Sequence, residues 1–287
     1  MDINIESRLM ERMRFPNIAG ACRQLVVKYF PELQKLRSPV NLPALAKKLG
    51  IQIEKKELTQ YDGSLSWDDN GRATIAVSTI GGIRRQRFTI AHELGHWLLQ
   101  KELLGRKTHP LFRGLSSTKE TLTQEERIVN RIAAEILVPH RPLTEWLAQD
   151  GLSLKVLTGI SRTYQVSRQM AIRRLAEVSE MPIVYLNVVP YRFNESDSLV
   201  EIDEALYATS HSGVFFDRDF TRLIDRPKFS ELVPGGHASL DFCGSKGKFS
   251  ACFDIGASSE PIPNADLFAI ELRGLNEQGE RFLQARS

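Results

Sequence analysis

His92 and His96 stand four residues apart in the run His92-Glu93-Leu94-Gly95-His96. On a helix, residues i and i+4 project from one face, so both imidazoles can reach a single metal ion. The glutamate between them can take a proton from water activated at such an ion. This is the H-E-x-x-H arrangement of zinc-dependent hydrolases. The competing reading is a chance pair of histidines on a solvated helical face, and the flanking residues weigh against it.

Ile90, Leu94, Trp97 and Leu98 recur at three- and four-residue intervals, the apolar stripe of a helix packed on a core. His92 and His96 lie off that stripe. No glycine or proline interrupts residues 86–94. Gly95 costs a helix about 1 kcal/mol against alanine, so its presence implies that something approaches the backbone closely there.

A tetrahedral site needs a third protein ligand. An extended H-E-x-x-H-x-x-G-x-x-H pattern would put a histidine at 102, where the chain has Glu102. The next strongly helical stretch runs over 124–139. Ile128, Val129, Ile132, Ile136 and Leu137 form its apolar face, and Pro139 ends it. Thr123 reads as an N-cap, with Glu126 three residues on as in a capping box. Glu126 and Asn130 share a different face, one turn apart. The first could complete a His-His-Glu set, and the second could hydrogen-bond a ligand from behind. Glu125 and Glu135 read first as exposed helix charges, with Glu135 the second choice as ligand.

The blocks Arg87-Phe88-Thr89-Ile90-Ala91-His92-Glu93-Leu94-Gly95-His96 and Glu126-x-x-x-Asn130-x-x-Ala133-Ala134-Glu135-x-Leu137-x-Pro139 together resemble the ImmA/IrrE family of zinc metallopeptidases. The likeness covers residues 35 to 180 or so. It implies one zinc ion per chain, held by His92, His96 and Glu126, with Glu93 as general base. It also implies a narrow protein substrate, a helix-turn-helix transcriptional repressor whose cleavage releases stress-response or mobile-element genes. Ile128, Ile132 and Val138 depart from the acidic residue, phenylalanine and methionine usual in the family, and none of the three is a ligand.

The 287 residues are 42% hydrophobic and 25% charged, enough for one large or two ordinary domains. A net charge of +3 argues neither for nor against a nucleic-acid partner. Cys22, Cys243 and Cys252 are too sparse for a disulfide framework. Cys243 and Cys252 could pair across a hairpin, but free thiols in a reducing compartment fit better. The first residues lack the apolar run of a signal peptide, and no stretch approaches ~18 apolar residues. A cytoplasmic protein without a membrane partner is expected.

The expected class is α+β: a zincin-like metallopeptidase domain at 1–150, a helix-turn-helix-like segment at 151–180, and a separate strand-rich α+β domain at 181–287. Two helical segments fall between 17 and 50, the second closing on Gly50. Strands follow at 51–54, 64–67 and 73–77, with Asp69-Asn70-Gly71 turning between the last two. The 63–77 hairpin is the candidate edge that would align an extended substrate by strand addition. Residues 101–123 read as a surface loop near the mouth of the site. His109, His140 and Tyr61 are candidates for stabilising an oxyanion, against the plainer reading of each as a surface polar residue.

Leu154, Leu157 and Ile160 mark one helix, and Ser167 caps a second that bears Arg168, Arg173 and Arg174. The pair looks like a helix-turn-helix. Its alternative is a helical hairpin with solvated arginines, and no second basic stripe supports DNA binding. Two alternatives stand second to proteolysis: a regulator that keeps the metal site but binds its partner without cutting it, and a regulator that binds DNA directly through 153–178. Runs at 183–189, 198–202, 213–216, 238–242, 249–253 and 267–272 read as strands of a sensor or docking module. Some family members carry a GAF-like sensor in this place, and no diagnostic motif for one appears here.

Overall fold

The computed structural model describes residues 4–104, 119–151 and 154–179, together with the strand backbones 183–190, 199–208, 223–225, 237–244, 247–254 and 266–271. The chain forms two compact units, 1–142 with 163–166, and 143–162 with 167–287. The described elements are mixed α+β.

The first unit opens with α1 (Ile5–Met13), α2 (Ile18–Tyr29), a 3-10 turn at Pro31–Lys35 and α3 (Leu42–Lys48). Each of the three α-helices starts on an asparagine. The side chains of Asn4, Asn17 and Asn41 accept from the backbone N–H groups of Ser7, Gly20 and Ala44, which satisfies donors left open at a helix start. Helix α1 was not anticipated, because its buried face is only Ile5, Leu9 and Met13 among charged neighbours.

Three strands follow, β1 (Gln52–Lys56), β2 (Gly63–Trp67) and β3 (Ala73–Ser78). β3 is central, parallel to β1 and antiparallel to β2. Its alternate residues Ala73, Ile75 and Val77 are buried, the period-two pattern of a strand lying on a core. The expected turn is present between β2 and β3, where Gly71 adopts φ +75° and Asp68 Oδ1 accepts from the N–H groups of Asn70 and Arg72. β2 is an edge strand of this sheet, as anticipated for the hairpin.

Two long helices then cross, α4 (Ile83–Leu104) and α5 (Lys119–Leu137). The core lies where they meet each other and α2. Leu94 and Leu98 come from α4, Ile128, Val129, Ile132 and Ile136 from α5, and Leu25 and Val26 from α2, all buried. Each such side chain contributes about 1.5–3 kcal/mol of burial. Both helices reach further into the connection than the loop expected at 101–123, since residues 119–124 contain no helix breaker. The remaining 105–118, with His109, lie outside the described residues. Thr123 sits within α5, so the capping box it was expected to form with Glu126 does not exist. That frees Glu126 from a capping role.

Helix α1 bridges the inner ends of these two helices. Ile5 N–H donates to Gln124 Oε1 at 3.1 Å, and Gln124 Nε2 donates to Asn4 Oδ1 at 3.2 Å. Arg8 donates to the Leu103 carbonyl. Buried Glu102 accepts from Arg12 and Lys28, each at 2.8 Å, and from Tyr29.

The second unit contains most of α6 (His140–Asp150) and α7 (Leu154–Tyr164), and all of α8 (Arg168–Ser179). Ser167 Oγ accepts from Met170 N–H, the expected cap. The arginines of α8 divide: Arg173 is exposed, whereas Arg174 is 2% exposed and ion-paired with Glu177. Arg174 is therefore a core residue, not part of a solvated basic face.

Helix α8 lies against β4 (Ile183–Pro190) and β5 (Leu199–Ala208). These belong to an antiparallel sheet that also holds β6 (Leu223–Asp225) and β9 (Asp266–Glu271), in the order β6-β5-β4-β9. A separate hairpin pairs β7 (His237–Gly244) with β8 (Gly247–Asp254). Its register puts Cys243 opposite Lys248 and Cys252 opposite Ser239, so the two cysteines are not cross-strand neighbours. The strand expected at 213–216 lies outside the described residues, and β6 was not foreseen. Among the described residues, no helix is long and apolar enough to cross a membrane.

Candidate metal centre

Helix α4 presents His92 and His96 one turn apart, with their Nε2 atoms 3.1 Å from each other. From α5, Glu126 brings Oε2 to 3.2 Å from His92 Nε2 and Oε1 to 3.4 Å from His96 Nε2. Among the described residues these three form the group able to hold a metal ion. A tetrahedral zinc with ligands at 2.0–2.1 Å has ligand–ligand edges of about 3.3 Å. The 3.1 Å separation of the two Nε2 atoms is close to such an edge, and the Glu126 carboxylate sets one oxygen 3.2 Å from His92 and the other 3.4 Å from His96.

The opposite side of each ring is also fixed. His92 Nδ1–H donates to Asn130 Oδ1 at 3.1 Å, and His96 Nδ1–H donates to Glu125 Oε1 at 2.9 Å. Because both acceptors are oxygens, the Nδ1 atoms carry the protons, and the two Nε2 lone pairs face one another and the Glu126 carboxylate. Such an arrangement calls for positive charge at its centre, supplied by a metal or by protons. In the metal-free chain a proton serves. Burial would depress His96, but hydrogen bonds to Glu125 and Glu126 outweigh it and raise its pKa to about 9. Hydrogen bonds from the Nε2-protonated forms of His92 and His96 hold the Glu126 carboxyl well below the usual carboxylate range.

Glu93 occupies the same turn of α4, is 3% exposed, and its charge acts on His96. One turn before His92, the Phe88 ring lies 5.9 Å from the His92 ring, tilted by 43°. The edge strand also reaches this helix. A Cβ on Gly63 would meet Thr89 Cγ2 at 2.3 Å and the Ala76 carbonyl at 2.9 Å, so only glycine lets β2 lie this close to α4, three residues from His92.

The expected residues thus fall into groups. His92, His96, Glu126 and Asn130 converge, and Glu93 is buried beside them. Tyr61, 52% exposed before β2, and His140, the first residue of α6, are not members of the metal-capable group. Two corrections concern the other glutamates, both expected to be exposed. Glu125 is 4% exposed and hydrogen-bonds His96, while Glu135 is 3% exposed and accepts the backbone N–H of His140 at 2.9 Å. Glu125 was missed because adjacency to Glu126 gave no sign of which ring it would meet.

Residues 46–176 match the sequence profile of a peptidase family described as the IrrE N-terminal-like domain. The chain is 30% identical over 144 residues to the radiation response metalloprotease IrrE of Deinococcus radiodurans, covering 49% of this chain and 41% of that protein. It is 31% identical over 140 residues to the protein of the same name from Deinococcus deserti, covering 47% and 46%. The chain thus spans less than half the length of these curated relatives. A solved Mycobacterium tuberculosis transcriptional regulator overlays at a TM-score of 0.47 with 13% identity, over 93% of this chain and 79% of that one. That overlay is too loose to bear on function. Residues 46–176 are thus similar to the IrrE N-terminal-like domain and to the two radiation response metalloproteases.

Proposed function

We propose that the chain is a zinc-dependent endopeptidase built on a zincin-like domain, acting on a regulatory protein. The observation that carries this reading is the convergence of His92 Nε2, His96 Nε2 and the Glu126 carboxylate on one point, with buried Glu93 on the same helical turn. When bound there, zinc supplies Lewis acidity, lowering the pKa of water and polarising a peptide carbonyl. Glu93 takes the proton of the attacking water and passes it to the leaving amine. The outer edge of β2, unpaired by any strand among the described residues, offers backbone N–H and C=O groups along which an extended peptide can lie. Tyr61, His140 and His109 remain candidates for stabilising the oxyanion. The substrate we favour is a helix-turn-helix repressor, in line with the family resemblance and with the radiation-response names of the relatives.

The test compares zinc-loaded wild type with Glu93→Gln on a panel of helix-turn-helix repressors, reading new protein termini by mass spectrometry. New termini with the wild type alone, at equal zinc content, are the expected result. Termini produced equally by Glu93→Gln would remove the general-base role. A panel left intact by both proteins would remove these repressors as substrates.

A further inference from the structure

We propose that Glu125 is a positioning residue of the metal centre, fixing the His96 ring with Nε2 toward the ion and making His96 the stronger imidazole ligand. This rests on the metal-centre reading and deepens it, because Glu125 touches the ligand and not the ion. Its carboxylate lies 2.9 Å from Nδ1, with side-chain exposures of 9% for His96 and 5% for Glu125. A carboxylate accepts a stronger hydrogen bond than a neutral amide oxygen does. Behind a ligating imidazole it fixes the tautomer and makes the far nitrogen more basic.

The corresponding support of His92 is the neutral Asn130 Oδ1 at 3.1 Å, and the His92 side chain is 17% exposed. Two histidines that look equivalent in the motif therefore receive unlike support, charged behind the buried ring and neutral behind the more open one. On α5, neighbouring residues project about 100° apart, so Glu125 stands behind His96 while Glu126 stands at the nitrogens in front. That turn is also tethered from outside the family-matched segment. Gln124 is held by Ile5 N–H and Asn4 Oδ1 of the α1 start.

The test measures affinity for Zn2+ alone by competition with a chromophoric chelator. It adds the exchangeable ring N–H signals of the Co2+-loaded protein by NMR, which a merely structural role would not move. The proteins compared are wild type, Glu125→Gln, Glu125→Ala and Asn130→Ala, with Glu126→Gln reporting on the ligand set itself. Glu125→Gln is expected to weaken binding about tenfold and keep both ring N–H signals. Glu125→Ala should approach a loss of about 100-fold and lose the His96 signal. Asn130→Ala should cost less than Glu125→Ala. Affinity within about twofold of wild type in Glu125→Ala, with both signals intact, would overturn the inference alone. If Glu125→Ala does not fold, wild-type affinity in the isosteric Glu125→Gln overturns it equally. Absence of Zn2+ binding by the wild type would overturn the metal-centre reading and the inference with it.

Discussion

Gly95 of α4 and Val129 of α5 meet at the crossing of the two helices that carry the site. A Cβ at Gly95 would stand 3.1 Å from Val129 Cγ1 and 3.2 Å from the Val129 carbonyl oxygen. The glycine of the motif therefore sets how near Glu126 comes to the two histidines. Close approach of a neighbour was the meaning its sequence position suggested, and α5 is that neighbour.

Gly95→Ala separates two opposed effects. Helix propensity favours alanine by about 1 kcal/mol, whereas overpacking against a partner costs about 1–3 kcal/mol. One of the contacts is backbone, which cannot swing aside, so overpacking wins. The expected outcome is a net loss of about 1 kcal/mol in urea unfolding, with weaker zinc binding as the donor triangle widens. A more stable variant with unchanged zinc affinity would show that the crossing has slack.

The centre also fixes a pH dependence. Below about pH 9, zinc must displace the His96 proton, so uptake at neutral pH releases protons. Apparent affinity should climb with pH and level off near 9. Calorimetry in two buffers of different ionisation enthalpy measures that release. In metal-free protein, His96 has a raised pKa, so its stabilising contribution is full below 6.5 and is lost as pH rises through about 9. Glu126 has a lowered pKa, so its contribution is full above 4.5 and is lost as pH falls further. Chelated wild type should therefore exceed chelated His96→Gln in melting temperature most clearly between pH 4.5 and 6.5. A constant difference from pH 6.5 to 10 would contradict the His96 assignment.

The second helix of the hairpin makes a separate prediction. Arg174 is buried and ion-paired, while Arg173 of the same helix is exposed. Removing one partner of a buried pair costs about 3–5 kcal/mol, and an isolated surface change stays within about 0.5 kcal/mol. Arg174→Ala should thus unfold at markedly lower urea concentration, and Arg173→Ala should match wild type. Equal effects would mean that Arg174 is not held in the core. The burial also leaves only Arg168 and Arg173 for any contact with DNA along this helix.

Much of the architecture was legible because it is written in short-range periodicity. The motif helix, the 63–77 hairpin with its Gly71 turn, and the Ser167 cap all follow from spacing within one element. What escaped depends on a neighbour. Thr123 looks like a cap until α5 is seen to begin four residues earlier, at Lys119. Glu125 and Glu135 look like surface charges until the crossing with α4 and the start of α6 cover them. Helix α1 buries too few residues to leave a stripe, yet it ties the ends of α4 and α5 through Glu102 and Gln124. No single-element pattern encodes such contacts.

The most direct measurement is the metal content of purified wild type, Glu126→Ala and Glu135→Gln after zinc loading and removal of excess, by elemental mass spectrometry. One zinc per chain is expected in the wild type, lost in Glu126→Ala and kept in Glu135→Gln, whose position serves the start of α6. Zinc absent from the wild type, or lost with Glu135 and kept without Glu126, would contradict the centre described here.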